Sequence, residues 1–404
     1  MAVGHYKFPK MYPVKGIRLG TANAGIKQTE RDDILIMEMS GSGSAAAVFT
    51  QNAFCAAPVH IAREHVTKAP CWLLINSGNA NAGTGQQGMD DARLCCTELA
   101  KNVSAKASQV MPFSTGVIGE NLPVEKMLDA FPKALSCLSE DNWEQAAYAI
   151  MTTDTFAKGA STVIEIAGKP VTITGISKGA GMIHPNMATM LGFVATDAKI
   201  VPALLQQCLQ QAVELSFNRI TVDGDTSTND ACVLLASGLS EAEEITAESD
   251  SYEVFLEALK TVCQQLAEAI VRDGEGATKL IRIIVKQAQT EQEAVMVAKT
   301  IAHSPLVKTA FFASDPNWGR ILAAVGRAGV ERLKLDAVKI YLDDVCIVEN
   351  GGRAESYTEE AGQEVMNREE ITVSVILARG DAEQQILTCD LSYDYVRINA
   401  EYRT

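Results

Sequence analysis

The 404-residue sequence predicts a mixed α/β protein whose largely antiparallel sheets are covered by helices. Short runs rich in β-branched residues are joined by tight Gly or Asp turns, as hairpins are. Between them helical periodicity recurs, at spacings that gather apolar residues on one face. The composition, 47% hydrophobic and 21% charged, is that of an ordinary globular chain long enough to bury a large core in two or three domains.

In chain order, the first periodic segment is 89–105, where Leu94, Cys95, Leu99 and Val103 share a face. Strands are predicted for "ASTVIEIAG", "KPVTITGI" and "TMLGFVAT". A helix follows over 202–217: Pro202 suits a first turn, and Leu205, Leu209, Ala212 and Leu215 recur at helical spacing. "DACVLLASG" reads as a strand, and 252–273 as a long helix with Phe255, Leu259, Val262, Leu266 and Ile270 on one side. After the strand "LIRIIVKQ", the capping box Thr290-x-x-Glu293 opens another helix. "VKIYLDDVCIV", "ITVSVILAR" and "QQILTCDLSY" complete the strands. No internal repeat or low-complexity linker interrupts the series.

Charge narrows the function classes. Residues 1–188 carry 16 basic against 16 acidic side chains, whereas 189–404 carry 19 against 34, so all of the net charge of −15 lies in the second part. "SEAEEITAESDSYE" and "ESYTEE" read as solvated acidic faces, which argue against nucleic acid as a partner. No run of 18 apolar residues is present, and the start "MAVGHYKFPKMYPVKG" lacks a secretory pattern, so a soluble, cytoplasmic protein without a membrane partner is expected. The ten cysteines form no C-x-x-C pair and read as buried small hydrophobes. The five histidines are scattered, and no metal site is expected.

Several glycine-rich or polar stretches invite a chemical reading. "NSGNANAGTGQQG" and "GISKGAGM" fit neither a P-loop nor a dinucleotide fingerprint and read as turns. "TVDGDTSTND" carries carboxylates at 223, 225 and 230, but its glycine is misplaced for a calcium loop; it reads as a polar turn beside a site. No G-x-S-x-G elbow and no Ser/His/Asp set stands out.

Thr189 is different. A threonine opening a buried strand is ordinarily β-branched filler. Here, however, glycines at 179 and 181 and a rigid Pro185 precede it, an arrangement suited to presenting one hydroxyl beside its own preceding carbonyl. Attack of Thr189 Oγ on the Ala188 carbonyl would give an ester whose hydrolysis leaves Thr189 as a new N-terminus. The freed α-amine then stands next to the hydroxyl as its general base.

Six motifs, "STGVIGE" (114–120), "MTTDT" (151–155), "KGAGMIHPNMATML" (178–191), "DGEGATK" (273–279), "SDPNWGR" (314–320) and "NAEYRT" (399–404), occur together over essentially the whole chain. In this combination the sequence resembles the ornithine acetyltransferase family, the glutamate N-acetyltransferases of the cyclic arginine pathway. The resemblance implies sandwiched α/β layers, self-cleavage between Ala188 and Thr189 into chains 1–188 and 189–404 that stay associated, and transfer of acetyl from N2-acetylornithine to glutamate. It implies Thr189 as nucleophile and Thr115 with Gly116 as oxyanion hole. It further implies Thr152, Lys178, Thr189, Glu275, Asn399 and Thr404 as substrate contacts, with Thr152 and its neighbour Thr153 the least distinguishable. No cofactor is implied, although acetyl-CoA as a donor substrate stays open, and a dimer of the two-chain unit is the expected assembly.

Elementary chemistry agrees with these roles. A turn as small as Thr115-Gly116 lets a hydroxyl and a backbone N–H converge on a tetrahedral oxyanion. Both substrates carry an α-carboxylate, for which Lys178 is a suitable cation, and Glu275 is an acceptor for a substrate nitrogen. Asn399 and Thr404 lie in a polar C-terminus that composition alone would make a frayed tail. Two other classes stay open: an amidase or aminopeptidase with a self-exposed nucleophile, and a metabolite-binding protein that never cleaves.

Overall fold

The computed structural model describes residues 3–4, 6–27, 30–41, 43–184 and 190–401. The chain divides into two compact units, one of Lys7–Asn218 with Asp225–Ile270, the other of Met1–Tyr6, Arg219–Gly224 and Val271–Thr404.

The first unit opens with β1 (Ile17–Ala22), β2 (Ile34–Met39), β3 (Ser44–Phe49), α1 (Ala57–His65), β4 (Trp72–Asn79) and α2 (Gly85–Asn102). It continues with β5 (Val110–Val117), α3 (Val124–Ser136), α4 (Trp143–Ala149), β6 (Lys158–Ile166) and β7 (Lys169–Lys178). β8 (Leu191–Thr196), α5 (Pro202–Glu214), β9 (Ala231–Ala236) and nearly all of α6 (Asp250–Arg272) complete it. Its strands form two sheets, ordered β1-β2-β4-β5 and β3-β9-β8-β7-β6. Only the pairs β4–β5 and β8–β9 are parallel.

Between the two sheets lies one core. Leu19, Met37, Ile75 and Phe113 of one sheet pack with Ile176, Phe193, Val233 and Leu235 of the other, around Trp143 of α4. The outer face of the four-stranded sheet buries Ile36 and Leu74 against Cys95, Cys96 and Leu99 of α2 and Phe131 of α3. On the five-stranded sheet α6 is close enough that a Cβ at Gly175 would meet Leu266 at 3.2 Å. Phe255, Leu259, Val262, Leu266 and Ile270 are all 0% exposed, the stripe the sequence predicts, each contributing roughly 1.5–3 kcal/mol. The α2 face is corrected: Cys95 and Leu99 are buried, but Leu94 is 44% exposed, because 3.6-residue geometry turns it away from them. The Ala167-Gly168 turn between β6 and β7 has φ of 49° and 75°, the positive pair that a two-residue hairpin needs.

The second unit holds β10 (Leu280–Ala288), α7 (Glu291–Ala302), α8 (Pro305–Phe312), α9 (Trp318–Gly326), β11 (Lys339–Leu342) and β12 (Val345–Glu349). Then come β13 (Gly352–Arg353), α10 (Glu359–Met366), β14 (Glu370–Ile376), β15 (Ala382–Cys389) and α11 (Tyr393–Glu401). Its sheet runs β13-β12-β11-β14-β10-β15, parallel only at β10–β14. Ile371, Val373 and Val375 alternate inward along β14, onto a core shared with α7, α8 and α9. The predicted capping box is only half formed: Thr290 Oγ1 accepts from Glu293 N at 3.1 Å, but Glu293 Oε1 accepts from Gln289 N, one residue before the cap, and not from Thr290 N. "ESYTEE" is not wholly a solvated face, since Tyr357 is 4% exposed and Thr358 caps α10. Of the cysteines, Cys95, Cys96, Cys208, Cys232, Cys263 and Cys389 are buried as expected, but Cys137 is exposed where α3 ends. Among the described residues no helix is long and apolar enough to cross a membrane.

Candidate active site

The ends of β4 and β5 set the first part of the site. Their parallel register pairs Ser77 with Thr115 and Gly78 with Gly116. Gly116 has φ +136°, and a Cβ there would lie 2.2 Å from the Gly78 carbonyl carbon, so no other residue fits this approach of two backbones. The strand end is clamped from both sides. Ser114 Oγ donates to Asn76 Oδ1 at 2.6 Å, and Asn229 Nδ2 donates to the Ser114 and Ala80 carbonyls at 3.0 and 2.6 Å. Asn229 belongs to the polar stretch "TVDGDTSTND", which these two bonds bring to the end of β5.

Thr115 is 8% exposed, and its Oγ1 accepts from Lys178 Nζ at 3.0 Å. Lys178 ends β7, in the other sheet, so this bond ties the two stacked sheets at their rims. Antiparallel register places Leu191, the first residue of β8, opposite Lys178; on the other side β8 pairs Leu191 with Ala231, whose N–H donates to Met190 O at 3.0 Å. The start of β8 is thus held between β7 and β9. Ala188, Thr189 and Thr404 lie outside the described residues.

Behind Lys178 is a buried ion pair that sequence reading missed. Asp154 Oδ1 accepts Lys158 Nζ at 2.6 Å and Gly179 N at 2.7 Å, and Oδ2 accepts Thr152 N at 2.9 Å. Both charged side chains are 0% exposed. Burial opposes ionisation of the Asp154 carboxyl, but the Lys158 and Lys178 cations and its hydrogen bonds outweigh burial and hold it well below the usual carboxylate range. One carboxylate therefore fixes the backbone of the "MTTDT" loop, Thr152 included, to the residue after Lys178. A carboxylate four residues before a lysine in an otherwise uncharged stretch was the available signal. Asp230, just before β9, is 4% exposed, and among the described residues its Oδ2 has no hydrogen-bond partner. Burial pushes this carboxyl well above the usual range, against the pull of Ser227 and Lys178.

The second unit brings together two other predicted residues. Glu275, in the turn after α6, is 9% exposed, and its Oε2 accepts Asn399 Nδ2 at 2.8 Å. Asn399 is on α11, so the supposed frayed tail is a helix through Glu401. Its start is capped by Ser392, whose Oγ accepts from Asp394 N and donates to Gly276 O at 2.6 Å. Among the described residues no group of three or more His, Cys, Asp or Glu is placed to hold a metal ion.

Stacked sheets with helical cover, and a hydroxyl, a strained glycine and a lysine gathered at the sheet rims, make the framework of an acyl-transfer enzyme. The ArgJ family model matches residues 18–404, and the chain belongs to that family. It is 64% identical over 395 residues to the arginine biosynthesis bifunctional protein ArgJ of Methylococcus capsulatus, covering 98% of this chain and 97% of that protein. The same-named protein of Pseudomonas fluorescens is 54% identical over 405 residues, with all of both chains covered. The crystal structure of the Bacillus halodurans protein of that name is 44% identical with a TM-score of 0.50, over 52% of this chain and 97% of the solved one. The chain is accordingly an acyltransferase of arginine biosynthesis.

Proposed function

We propose that the chain moves the acetyl group of N2-acetylornithine to glutamate through an acetyl ester on Thr189, after cutting its own Ala188–Thr189 bond. In the first half, Thr189 Oγ attacks the acetyl carbon while the Thr189 α-amine takes the hydroxyl proton. The negative charge that develops on the carbonyl oxygen is met by the Thr115 hydroxyl and Gly116 N–H. The amide C–N bond then breaks, and ornithine leaves with the proton. In the second half the glutamate amine attacks the ester, its proton passes to the base, and the bond to Thr189 Oγ breaks. Lys178 holds the α-carboxylate common to both amino acids. Thr152, Glu275, Asn399 and Thr404 are the remaining substrate contacts of this proposal.

The observation that carries the reading is the 3.0 Å bond from Lys178 Nζ to Thr115 Oγ1, opposite the strand that begins two residues after Thr189. Fragments 1–188 and 189–404 are the proposed products of cleavage. They have reason to stay together, since β3, β6 and β7 precede the bond and β8 and β9 follow it in a single sheet. The solved relative, nearly all of which is matched by about half of this chain, is itself of half length, which supports a two-chain enzyme. Acetyl-CoA as a second donor belongs to the same proposal, because relatives are named bifunctional and an acyl thioester can load the same hydroxyl. Assembly as a dimer of the two-chain unit and work in the cytoplasm are proposed with it.

The test is a half-reaction. Incubated with labelled acetylornithine and no glutamate, the enzyme should release ornithine and gain one acetyl group on the fragment beginning at Thr189; later glutamate should discharge it as acetylglutamate. Acetate released instead would mark a hydrolase, and an uncleaved, unlabelled chain a binding protein.

A further inference from the structure

Lys27, on the segment between β1 and β2, places its side chain among the groups assigned above to acyl transfer. A Cβ at Gly78 would meet Lys27 Cγ at 3.0 Å, and Gly78 is the register partner of Gly116. Lys27 Nζ donates to Ala149 O at 3.2 Å and to Asp32 O at 3.3 Å; Ala149 O also accepts Ser77 Oγ, from the residue paired with Thr115. Ala149 ends α4, three residues before Thr152.

These partners are neutral carbonyls at long range, and none of the ion pairs among the described residues includes Lys27. The neighbouring Asp33 carboxylate accepts the backbone N–H groups of Ala24, Ile26 and Lys27 itself. A half-buried ammonium whose hydrogen bonds all go to carbonyl dipoles is costly unless an anion joins it. Burial and the Arg31 and Lys178 cations, against Asp33 and Asp154, bring Lys27 down to about 8.

The substrates supply the anion. Acetylornithine and glutamate share an α-carboxylate and differ at the far end, ammonium in one and carboxylate in the other. An acidic group suited to the ammonium repels the carboxylate, so the acceptor needs a cation of its own. We propose that Lys27 is that cation, a specificity-determining residue that receives the side-chain carboxylate of glutamate. The inference rests on the acetyl-Thr189 reading and goes beyond it.

The experiment compares wild type with Lys27→Met and Lys27→Arg, reading ornithine release without glutamate separately from transfer to glutamate and to its uncharged isostere glutamine. In Lys27→Met, kcat/KM for glutamate should fall about 10²-fold more than the ornithine-releasing half, mostly through KM, as expected for losing one member of a desolvated charge pair. The preference for glutamate over glutamine should collapse, and Lys27→Arg should keep most of it. In wild type the glutamate KM should rise above pH about 8, as Lys27 loses its proton among Arg31, Asp33, Asp154 and Lys178, and Lys27→Met should lack that rise. Should Lys27→Met melt early, Lys27→Gln keeps a donor for the two carbonyls and answers the same question. An unchanged glutamate-to-glutamine preference in folded Lys27→Met or Lys27→Gln overturns the assignment. A wild-type enzyme that releases no ornithine without glutamate overturns the acetyl-Thr189 reading instead.

Discussion

Replacing Asp154 with alanine should destabilise the first unit by about 3–5 kcal/mol, the range for breaking a buried ion pair by removing one partner. The size follows from what is left behind. The Lys158 ammonium, 0% exposed, loses a carboxylate oxygen 2.6 Å away. Thr152 N and Gly179 N lose their acceptor as well. At roughly 2–4 °C per kcal/mol for units of this size class, the midpoint should drop by about 6–20 °C. The compensated variant Asp154→Ala/Lys158→Met removes the unpaired cation as well and should regain part of the loss, the remainder being the Thr152 and Gly179 N–H groups that still lack their acceptor. Thermal melts followed by near-UV circular dichroism read both. Because the folded-state pKa of Asp154 is depressed, its contribution is complete above the ordinary carboxylate value near 3.9 and fades as pH falls below it. The wild-type midpoint should therefore fall more steeply below pH about 4 than that of the double variant. A single variant melting within about 2 °C of wild type, or a double variant less stable than the single, would show that the pair does not hold this loop.

Thr115→Ala should lower kcat by roughly 10² to 10³ with an unchanged melting midpoint, and a near-wild-type kcat would move the oxyanion hole elsewhere. Thr189→Ala should run as one uncut, inactive chain on a denaturing gel, while N-terminal sequencing of the wild-type second fragment should begin at Thr189. Gly276→Ala should cost roughly 1–3 kcal/mol, since its φ is +69° and a Cβ would lie 2.5 Å from Tyr395 N; a neutral effect in denaturant titration would refute that packing of the turn on α11.

What the sequence disclosed follows from how each element is buried. β10 and β14 were legible because β-branched residues dominate them, and on β14 they also alternate inward and outward. β2, "ILIMEM", is buried at every position but one and carries helix-forming Leu and Met, so neither periodicity marks it. α11 buries no residue of its own, and its polar sequence looks like a tail. Its anchors include scattered contacts, Asn399 to Glu275, Ser392 to Gly276, Tyr395 to Asp223 and Tyr393 against Phe312, which leave no pattern. For the site, residue types and motif resemblance point to Thr115 and Lys178 separately. Their contact depends on two different sheets stacking face to face, and no local spacing encodes that.

The electrostatics of the first unit's rim explain how a chain of net charge −15 can bind acidic amino acids. Three carboxyl groups stand near Lys27 and Lys178, and none of them is available to neutralise an incoming ligand's cation partner. Asp33 is occupied by three backbone N–H groups. Asp154 is taken by Lys158 and two further N–H groups. Asp230 is driven by burial toward its neutral form. These acids are thus engaged by backbone N–H groups or by an internal lysine, or pushed toward the neutral form, which limits how far they offset the Lys27 ammonium. The acidic excess of the chain lies after residue 188. Local sign, set by which charges are already engaged, decides what such a site attracts, and the overall charge of the chain does not.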